Sequence, residues 1–168
     1  MRPIVRSSAA LVAAVALLSS CATLGQVIQP PQFAVADGRP AQLQLLAPSL
    51  QNPMGGVSVR LWARVSNPNP MGVVLSALNG ALALEGTEAA RVNFPLGVPL
   101  PAARDTVIPL DIAVSFTNVP RLADVVSRAV TQGNVNYQLR GSFGVDAGLL
   151  GQPTFGPMTL LQGNINTR

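Results

Sequence analysis

The chain has 168 residues, 48% of them hydrophobic and only 4% aromatic, which excludes an intrinsically disordered protein and predicts an aliphatic core. All eleven basic residues are arginines, scattered singly among seven acidic residues, and this weak, dispersed charge argues against a nucleic-acid partner. The sequence has no histidine and a single cysteine, Cys21, which limits the chemistry open to the protein.

The first 20 residues are organised like a bacterial secretory signal. A short basic start is followed by Ala9–Leu18, an apolar run too short to cross a bilayer, which takes about 20 residues. The next residues, Leu18-Ser19-Ser20-Cys21, resemble the bacterial lipobox, in which the cysteine sulfur receives a diacylglycerol and the chain is cleaved before the cysteine. We therefore predict that residues 1–20 are a lipoprotein signal peptide and that Cys21 is lipidated. A plain signal peptide, or a small buried cysteine, is the alternative.

Lipidation would place the protein in the cell envelope. One acyl chain gives only marginal membrane binding, and two or three chains give stable anchoring, so the membrane is the predicted partner of Cys21. The residue after the cysteine is Ala22 and not aspartate, which resembles outer-membrane sorting in enteric bacteria. In a Gram-negative host we expect the outer membrane, with the domain facing the periplasm.

Residues 21–41 are predicted to be the lipid anchor and a tether. Pro30-Pro31 and Gly38-Arg39-Pro40 interrupt any regular element, and a segment of this kind holds a domain away from a membrane. The alternative is that Phe33 and Val35 belong to an edge strand.

The stretch Val57–Gly86 predicts the two strands around which the rest of the domain is built. Apolar and polar residues alternate from Val57 to Ser66, and Asn67-Pro68-Asn69-Pro70 ends this strand because proline has no amide to donate. A leucine-rich strand follows. Asn79-Gly80 is read as part of that strand, with the glycine marking a bulge, although it also fits a hairpin turn.

The remaining sequence, within a domain spanning residues 42–168, predicts several more strands and one helix. Asn118–Gly133 has the period of an amphipathic helix, with Asn118 as its N-cap and Gly133 as its stop. Six to eight short strands with one helix predict a mainly β protein with the architecture of a β-sandwich. The further strands are predicted at Leu43–Leu46, Ala89–Phe94, Asp105–Phe116, Asn136–Val145 and Pro157–Leu161, and Pro95–Ala103 is predicted to be a loop.

The residues offer little for catalysis. A serine or cysteine nucleophile usually needs a histidine base, and a transition-metal site usually needs histidine or cysteine, so we predict no enzyme, no metal and no cofactor. The carboxylate pairs Asp105/Asp111 and Glu85/Glu88 fall on solvent-facing positions and are read as solubility charges. Trp62 lies between Arg60 and Arg64 on the polar side of its strand. These three residues either stack on the outer sheet face or form an exposed contact surface.

The order of these elements resembles the late embryogenesis abundant type 2 (LEA14-like) family and its water stress and hypersensitive response (WHy) domain. The resemblance runs from about Leu43 to the C-terminus. Its carriers are Asn67, Pro68 and Asn69, the leucine-rich strand after them, the Asp105–Phe116 strand, the helix, and the strand from Tyr137 to Val145. Members usually have an aromatic residue after Asn-Pro-Asn, where this chain has Pro70-Met71. The resemblance implies an antiparallel sandwich of the immunoglobulin or fibronectin type III kind with one helix, a role in desiccation and other stress, and no catalytic residues.

Three functions follow as hypotheses. The first is a non-enzymatic, membrane-tethered protein that protects against water stress by binding or shielding partners. The second is an envelope assembly or adaptor module that binds a protein partner through an edge strand or the Trp62 face. The third is a carrier of an apolar ligand between the sheets. The Asn-Pro-Asn motif is predicted to be a structural turn and not a ligand site.

Overall fold

The computed structural model describes residues 28–167, which form two antiparallel sheets and one α-helix. The helix, α1 (Pro120–Gln132), connects the sixth and seventh strands. The strands are β1 (Gln32–Val35), β2 (Gln42–Leu46), β3 (Gly56–Ser66), β4 (Val73–Leu84), β5 (Thr87–Leu100), β6 (Asp105–Ser115), β7 (Asn134–Asp146) and β8 (Thr154–Asn166). This architecture confirms the predicted mainly β sandwich with one helix.

The first sheet is built on β3, which is paired along its whole length with β6 on one side. On its other side β3 pairs with β1 near its C-terminal end and with β2 near its N-terminal end. The second sheet has the order β5-β4-β7-β8. The strand–turn–strand unit predicted as the centre of the fold therefore contributes a central strand to each sheet.

The strand β1 lies inside the stretch predicted to be tether. Phe33 pairs with Val65 of β3, and the Phe33 ring lies 4.8 Å from that of Phe143. The edge-strand alternative therefore describes residues 32–35, and the folded domain begins before Gln42. Pro31 is buried beside this strand, which explains how a Pro-rich segment can belong to the domain.

The core lies between the two sheets and is aliphatic, as the composition predicts. Burying such side chains contributes about 1.5–3 kcal/mol each relative to leaving them exposed, so this layer dominates stability. The first sheet supplies the alternate residues Val57, Val59, Leu61, Ala63 and Val65 of β3 and Ile108, Leu110, Ile112 and Val114 of β6. The second supplies Leu75, Leu78, Leu82 and Leu84 of β4 and Tyr137, Leu139, Phe143 and Val145 of β7.

A bulge shifts the inward phase of β4 halfway along the strand. Leu75 and Leu78 are both fully buried although they are three residues apart. The register between β4 and β7 slips between Leu75 and Ala77, so Ser76 is an extra residue. Asn79-Gly80 lies within the continuous strand, as predicted, but the bulges flank Gly80 and do not fall on it.

The prediction of a loop at Pro95–Ala103 was wrong for its first six residues. Strand β5 runs through Pro95 and Pro99 to Leu100. It pairs with β4 on one side, and among residues 28–167 its other edge has no ladder partner. Proline is tolerated on such an edge strand. Gly97, at φ 60°, lies where the register slips, so a bulge accommodates the proline-rich run.

Helix α1 closes one end of the sandwich. Leu122, Val126 and Ala129 are buried against the sheets, which confirms the predicted apolar stripe. Gly133 ends the helix in the left-handed conformation at φ 88°, as expected. The predicted N-cap was wrong, because the cap position is Val119 and no side chain caps the helix.

The two ends of the sandwich are distinct. We call one the tether end, formed by residues 28–31, 67–72, 101–104 and 147–153, where the described chain enters. We call the other the helix end, formed by α1 and the loops at residues 47–55 and 85–86. The amide of Thr167 donates to the carbonyl of Gly133 there, so the described chain finishes at the helix end.

Candidate functional site

The side chain of Asn67 joins two turns at the tether end. It is only 2% exposed. Its amide nitrogen donates to the carbonyls of Met71 at 2.9 Å, Leu100 at 3.0 Å and Pro101 at 3.1 Å. Since Met71 precedes β4 and Leu100 ends β5, one side chain fastens the β3–β4 connection to the β5–β6 connection, and so ties the first sheet to the second.

Asn69 extends this network to the start of the described chain. The oxygen of Asn67 accepts hydrogen bonds from the backbone and side-chain nitrogens of Asn69 at 3.0 and 2.9 Å. The Asn69 side chain donates to the carbonyl of Gln29 at 2.9 Å and accepts from its amide at 2.8 Å. This two-way pairing imitates one rung of a β-ladder and clamps the entering chain to the domain.

All hydrogen-bonding atoms of the two asparagine side chains are therefore used within the protein. Pro68 lies between them, half-buried, and fixes the turn. Within residues 28–167 no buried side-chain nitrogen or oxygen lacks a partner. The geometry of Asn67, Pro68 and Asn69 is that of a structural junction, in which every side-chain nitrogen and oxygen of the two asparagines is bonded to protein groups.

Trp62 is half-buried on the outer face of the first sheet, opposite Pro109 of β6. Arg60 forms a two-pronged ion pair with Asp111, directly opposite it on β6, and this hydrogen bond raises the pKa of Arg60. Arg64 is paired with carboxylates as well. We call Arg60, Trp62 and Arg64 the arginine face. Its guanidinium groups are engaged by acids, so it presents a nearly neutral polar surface around one tryptophan.

The carboxylates considered for acid–base chemistry are held apart by separate partners. Each takes part in a local hydrogen bond or ion pair on an exposed surface, where such pairs are weak and are screened by salt. The pairs beyond Arg60–Asp111 are Arg64 with Asp37 and, at 3.9 Å, with Asp105; Ser66 with Asp105 at 2.6 Å; Arg91 with Glu88 at 3.1 Å; Asn136 with Glu85 at 3.1 Å; and Gln152 with Asp146 at 3.1 Å.

The larger cavities lie along edges and ends of the sandwich. One of about 330 Å³ runs between β5 and β6, lined by residues 88–91, 113–115, 118 and 119. Another of about 450 Å³ runs between β1 and β8, lined by residues 33–35 and 159–162. A third, also about 450 Å³ and mainly apolar, opens at the tether end and is lined by residues 72–74, 99–101 and 146–148. The first two grooves open where an edge strand of one sheet approaches an edge strand of the other, at the two sides of the sandwich.

The predicted signal peptide, the lipobox residues and Cys21 lie outside the described residues. Among residues 28–167 no helix has the length and apolar content needed to cross a membrane. The same residues contain no cluster of three or more acidic, cysteine or histidine side chains suited to a metal ion.

Two features of the tether end were missed by sequence reasoning. Gln29 was assigned to a tether, and its bonds to Asn69 join residues 40 positions apart, which no local pattern signals. The loop after β7 carries Leu149 with its side chain fully exposed. The sequence does predict a loop there, over Gly148–Pro157, although β8 already begins at Thr154. The amide of Gly148 closes its first turn on the side chain of Asp146, and only the exposure of Leu149 was not predicted.

Comparison with known proteins identifies relatives of this fold. A family model described as late embryogenesis abundant protein matches residues 63–159. The solution structure of an Arabidopsis thaliana protein superposes with a TM-score of 0.59 at 19% identity, covering 83% of each chain, and this likeness shows a common fold. A solution structure of a provisionally assigned late embryogenesis abundant protein has a TM-score of 0.49 at 18% identity, covering 99% of this chain and 94% of that one. A crystal structure of an Archaeoglobus fulgidus protein has a TM-score of 0.45 at 12% identity, covering 77% and 97%. No curated protein matches the sequence.

Proposed function

Because this chain belongs to the late embryogenesis abundant family, we propose that it is a lipid-anchored, non-enzymatic protein that protects its surroundings against water stress. The observation that carries the proposal is the family match over residues 63–159, which covers β4 to β7 and the helix. We also propose that its sandwich is the water stress and hypersensitive response module.

The anchor is proposed from the lipobox-like run that ends at Cys21. The fold supports its position, because Gln29, eight residues after Cys21, is held to the domain by two hydrogen bonds with Asn69. A domain held by a short N-terminal link would act close to a membrane. We therefore propose a cell-envelope location, at the outer membrane and facing the periplasm in a Gram-negative host.

The proposed mode of action is surface binding and shielding, not turnover. Arg60, Arg64 and Arg91 form ion pairs with neighbouring carboxylates, and the asparagine network is saturated by protein groups. The arginine face combines paired charges with one half-buried tryptophan, which suits weak contact with many partners better than recognition of one. On drying, such a surface would keep envelope proteins apart and supply polar contacts in place of water.

Drying experiments on whole cells test this proposal. Cells carrying the wild-type gene, no gene, or Cys21→Ser would be dried and rehydrated, and the residual activity of an envelope enzyme would be measured with survival. We expect the wild type to retain severalfold more enzyme activity than cells without the gene, and Cys21→Ser to lose most of that advantage. Equal recovery in all three would contradict a protective role. Full protection by Cys21→Ser would keep the protective role and remove its dependence on the anchor.

A second candidate function is an envelope adaptor. Strand β6 pairs only with β3 among the described residues, so its other edge offers backbone groups for strand addition, interrupted at Pro109. A stoichiometric partner recovered with the wild-type protein, and lost when a second proline replaces Val107 on that edge, would favour this function over general protection. Co-purified lipid would instead favour the apolar-carrier hypothesis.

A further inference from the structure

The link between the predicted lipidation site and the folded domain is too short to allow every orientation at a membrane. Seven peptide units separate Cys21 from Ile28, and no conformation of seven units spans more than about 25 Å. Strand β7 has 13 residues and runs from the helix end to the tether end. At about 3.3 Å per residue, the sandwich is about 43 Å long. The helix end therefore cannot rest on the membrane while Cys21 remains in it.

The tether end has few charges. Among the residues that form it, 28–31, 67–72, 101–104 and 147–153, the one charged side chain is that of Arg104, and Asp105 and Asp146 adjoin it at strand ends. Asp105 accepts a hydrogen bond from the Ser66 hydroxyl at 2.6 Å. Asp146 already accepts a hydrogen bond from the amide of Gly148 at 2.8 Å and another from Gln152 at 3.1 Å. A surface with so few unpaired charges can approach lipid without a large desolvation cost.

The same end exposes apolar side chains, and the most exposed of them lies on the loop after β7. Leu149 has a relative exposure of 107%, and Leu150, Met71 and Val74 are 45%, 38% and 36% exposed. Leu149 lies in a short 3-10 helix, and the loop is closed by a hydrogen bond of 3.0 Å from the amide of Ala147 to the carbonyl of Gly151. The loop thus holds a leucine outward beside the apolar groove of about 450 Å³.

We propose that the tether end is a membrane-seating surface, with Leu149 inserted into the phospholipid layer that holds the acyl chains of Cys21. The proposal rests on the proposed anchor. Exposure alone would not choose between the two ends, because Leu50 at the helix end has an exposure of 104%. The tether end is the end that faces the membrane, because the link is too short for the helix end to reach it. In this orientation the arginine face lies on the side of the sandwich and is free for other contacts.

Leu149 and Leu50 form a matched pair for the test, since both are fully exposed leucines at opposite ends. Full-length Leu149→Cys and Leu50→Cys would be expressed as lipoproteins, purified in detergent, and labelled with an environment-sensitive fluorophore. The Cys21 sulfur is alkylated in the acylated protein, so the label reacts with the introduced thiol. Each protein would then be reconstituted into vesicles of phosphatidylethanolamine and phosphatidylglycerol containing a brominated phospholipid, which quenches nearby fluorophores.

We expect at least twofold stronger quenching and a blue-shifted emission for the label at residue 149 relative to residue 50. Equal quenching, or stronger quenching at residue 50, in a protein whose mass shows acylation would overturn the seating and leave the anchor intact. A mass without acyl chains would overturn both. If residue 149 is unquenched in lipid vesicles and is protected only in envelope fractions that contain protein, this end docks a protein and the seating is overturned.

Discussion

The side chain of Asn67 acts as a cross-link between turns that are far apart in sequence. Its amide group faces three carbonyl oxygens, and its own oxygen accepts two hydrogen bonds from Asn69, all without contact with solvent. An unsatisfied buried polar group costs about 1–3 kcal/mol, and a charged one costs more. The identity of this residue is therefore fixed by the donors and acceptors around it.

Asn67→Asp should destabilise the protein by about 3 kcal/mol or more, because it keeps the shape of the side chain and replaces the donor with an oxygen aimed at carbonyl oxygens. The free energy of unfolding from urea denaturation measures the loss. Asn93→Asp makes the same chemical change at an exposed position and should alter stability by less than about 0.5 kcal/mol. Equal effects of the two substitutions would contradict the network.

The burial of the Tyr137 side chain can be tested by measuring how stability and phenol ionisation depend on pH. Burial raises the pKa of its phenol above the ordinary value of 10.0. Below pH 10 the phenol is protonated in both the folded and the unfolded state and contributes nothing to the pH dependence. Above pH 10 the unfolded chain loses the proton first, so the free energy of unfolding falls with rising pH, by at most about 1.4 kcal/mol per unit.

Tyr137 is the single tyrosine, so the ultraviolet absorbance of the phenolate reports on this residue alone. We expect its titration midpoint to lie above that of the urea-unfolded chain, and Tyr137→Phe to remove this part of the alkaline decline in stability. A midpoint equal to that of the unfolded chain would show that the ring is not buried as described.

The roles of these residues could be predicted only in part. The Asn-Pro-Asn sequence signals the end of a strand, because proline cannot continue a ladder and asparagine bonds local backbone. Its partners could not be predicted, since Gln29 and Leu100 reach the motif only after both sheets have formed. A buried asparagine and an exposed turn asparagine look alike in a single sequence.

The pairing of β4 with β7 depends on two glycines that face each other. Gly80 is opposite Gly141, and a Cβ built on Gly141 would lie 2.2 Å from the carbonyl oxygen of Asn79. The obstacle is backbone, which cannot move without separating the two central strands of the second sheet.

Gly141→Ala should therefore cost about 2–3 kcal/mol of unfolding free energy, the upper part of the range of about 1–3 kcal/mol expected for overpacking. Gly72→Ala is the matched control, because a Cβ there would meet only the carbonyl oxygen of Leu100 at 3.6 Å, an ordinary contact. We expect the control to change stability by less than about 1 kcal/mol. Thermal unfolding of both variants tests the comparison, and a tolerated Gly141→Ala would show that the strands are less closely paired.

The existence and type of the elements were easier to predict than their lengths. Strict alternation located β3 and β6, and the change to a helical period located α1. The loop predicted at Pro95–Ala103 failed because proline was taken to end a strand, whereas β5 is an edge strand with a bulge at Gly97. The bulge in β4 corresponds to the three-residue spacing between Leu75 and Leu78, because two residues at an odd spacing face the same side of a strand only across a bulge. The spacing alone does not show that both leucines face inward, so the sequence does not locate the bulge.

The two ends of the sandwich relate the fold to the proposed function. The described chain enters at the tether end, clamped by Asn69, and finishes at the helix end near Gly133. Under the proposed anchoring, a short link at the tether end would hold that end near the membrane and leave the sheet faces exposed. The sequence predicts the anchor and the domain separately. The proposed orientation of the sandwich relative to the membrane can be derived only when the point at which the chain enters the domain and the lengths of the strands are known.

The mass of the intact protein extracted from membranes tests the anchored account most directly, with the wild type compared with Cys21→Ser. The account predicts a wild-type mass that lacks residues 1–20 and carries acyl chains, and a Cys21→Ser protein without them. A wild-type protein that is unacylated, or that retains residues 1–20, would contradict the anchor and the membrane orientation derived from it. The family and the fold would stand, and the search for a function would move away from the membrane surface.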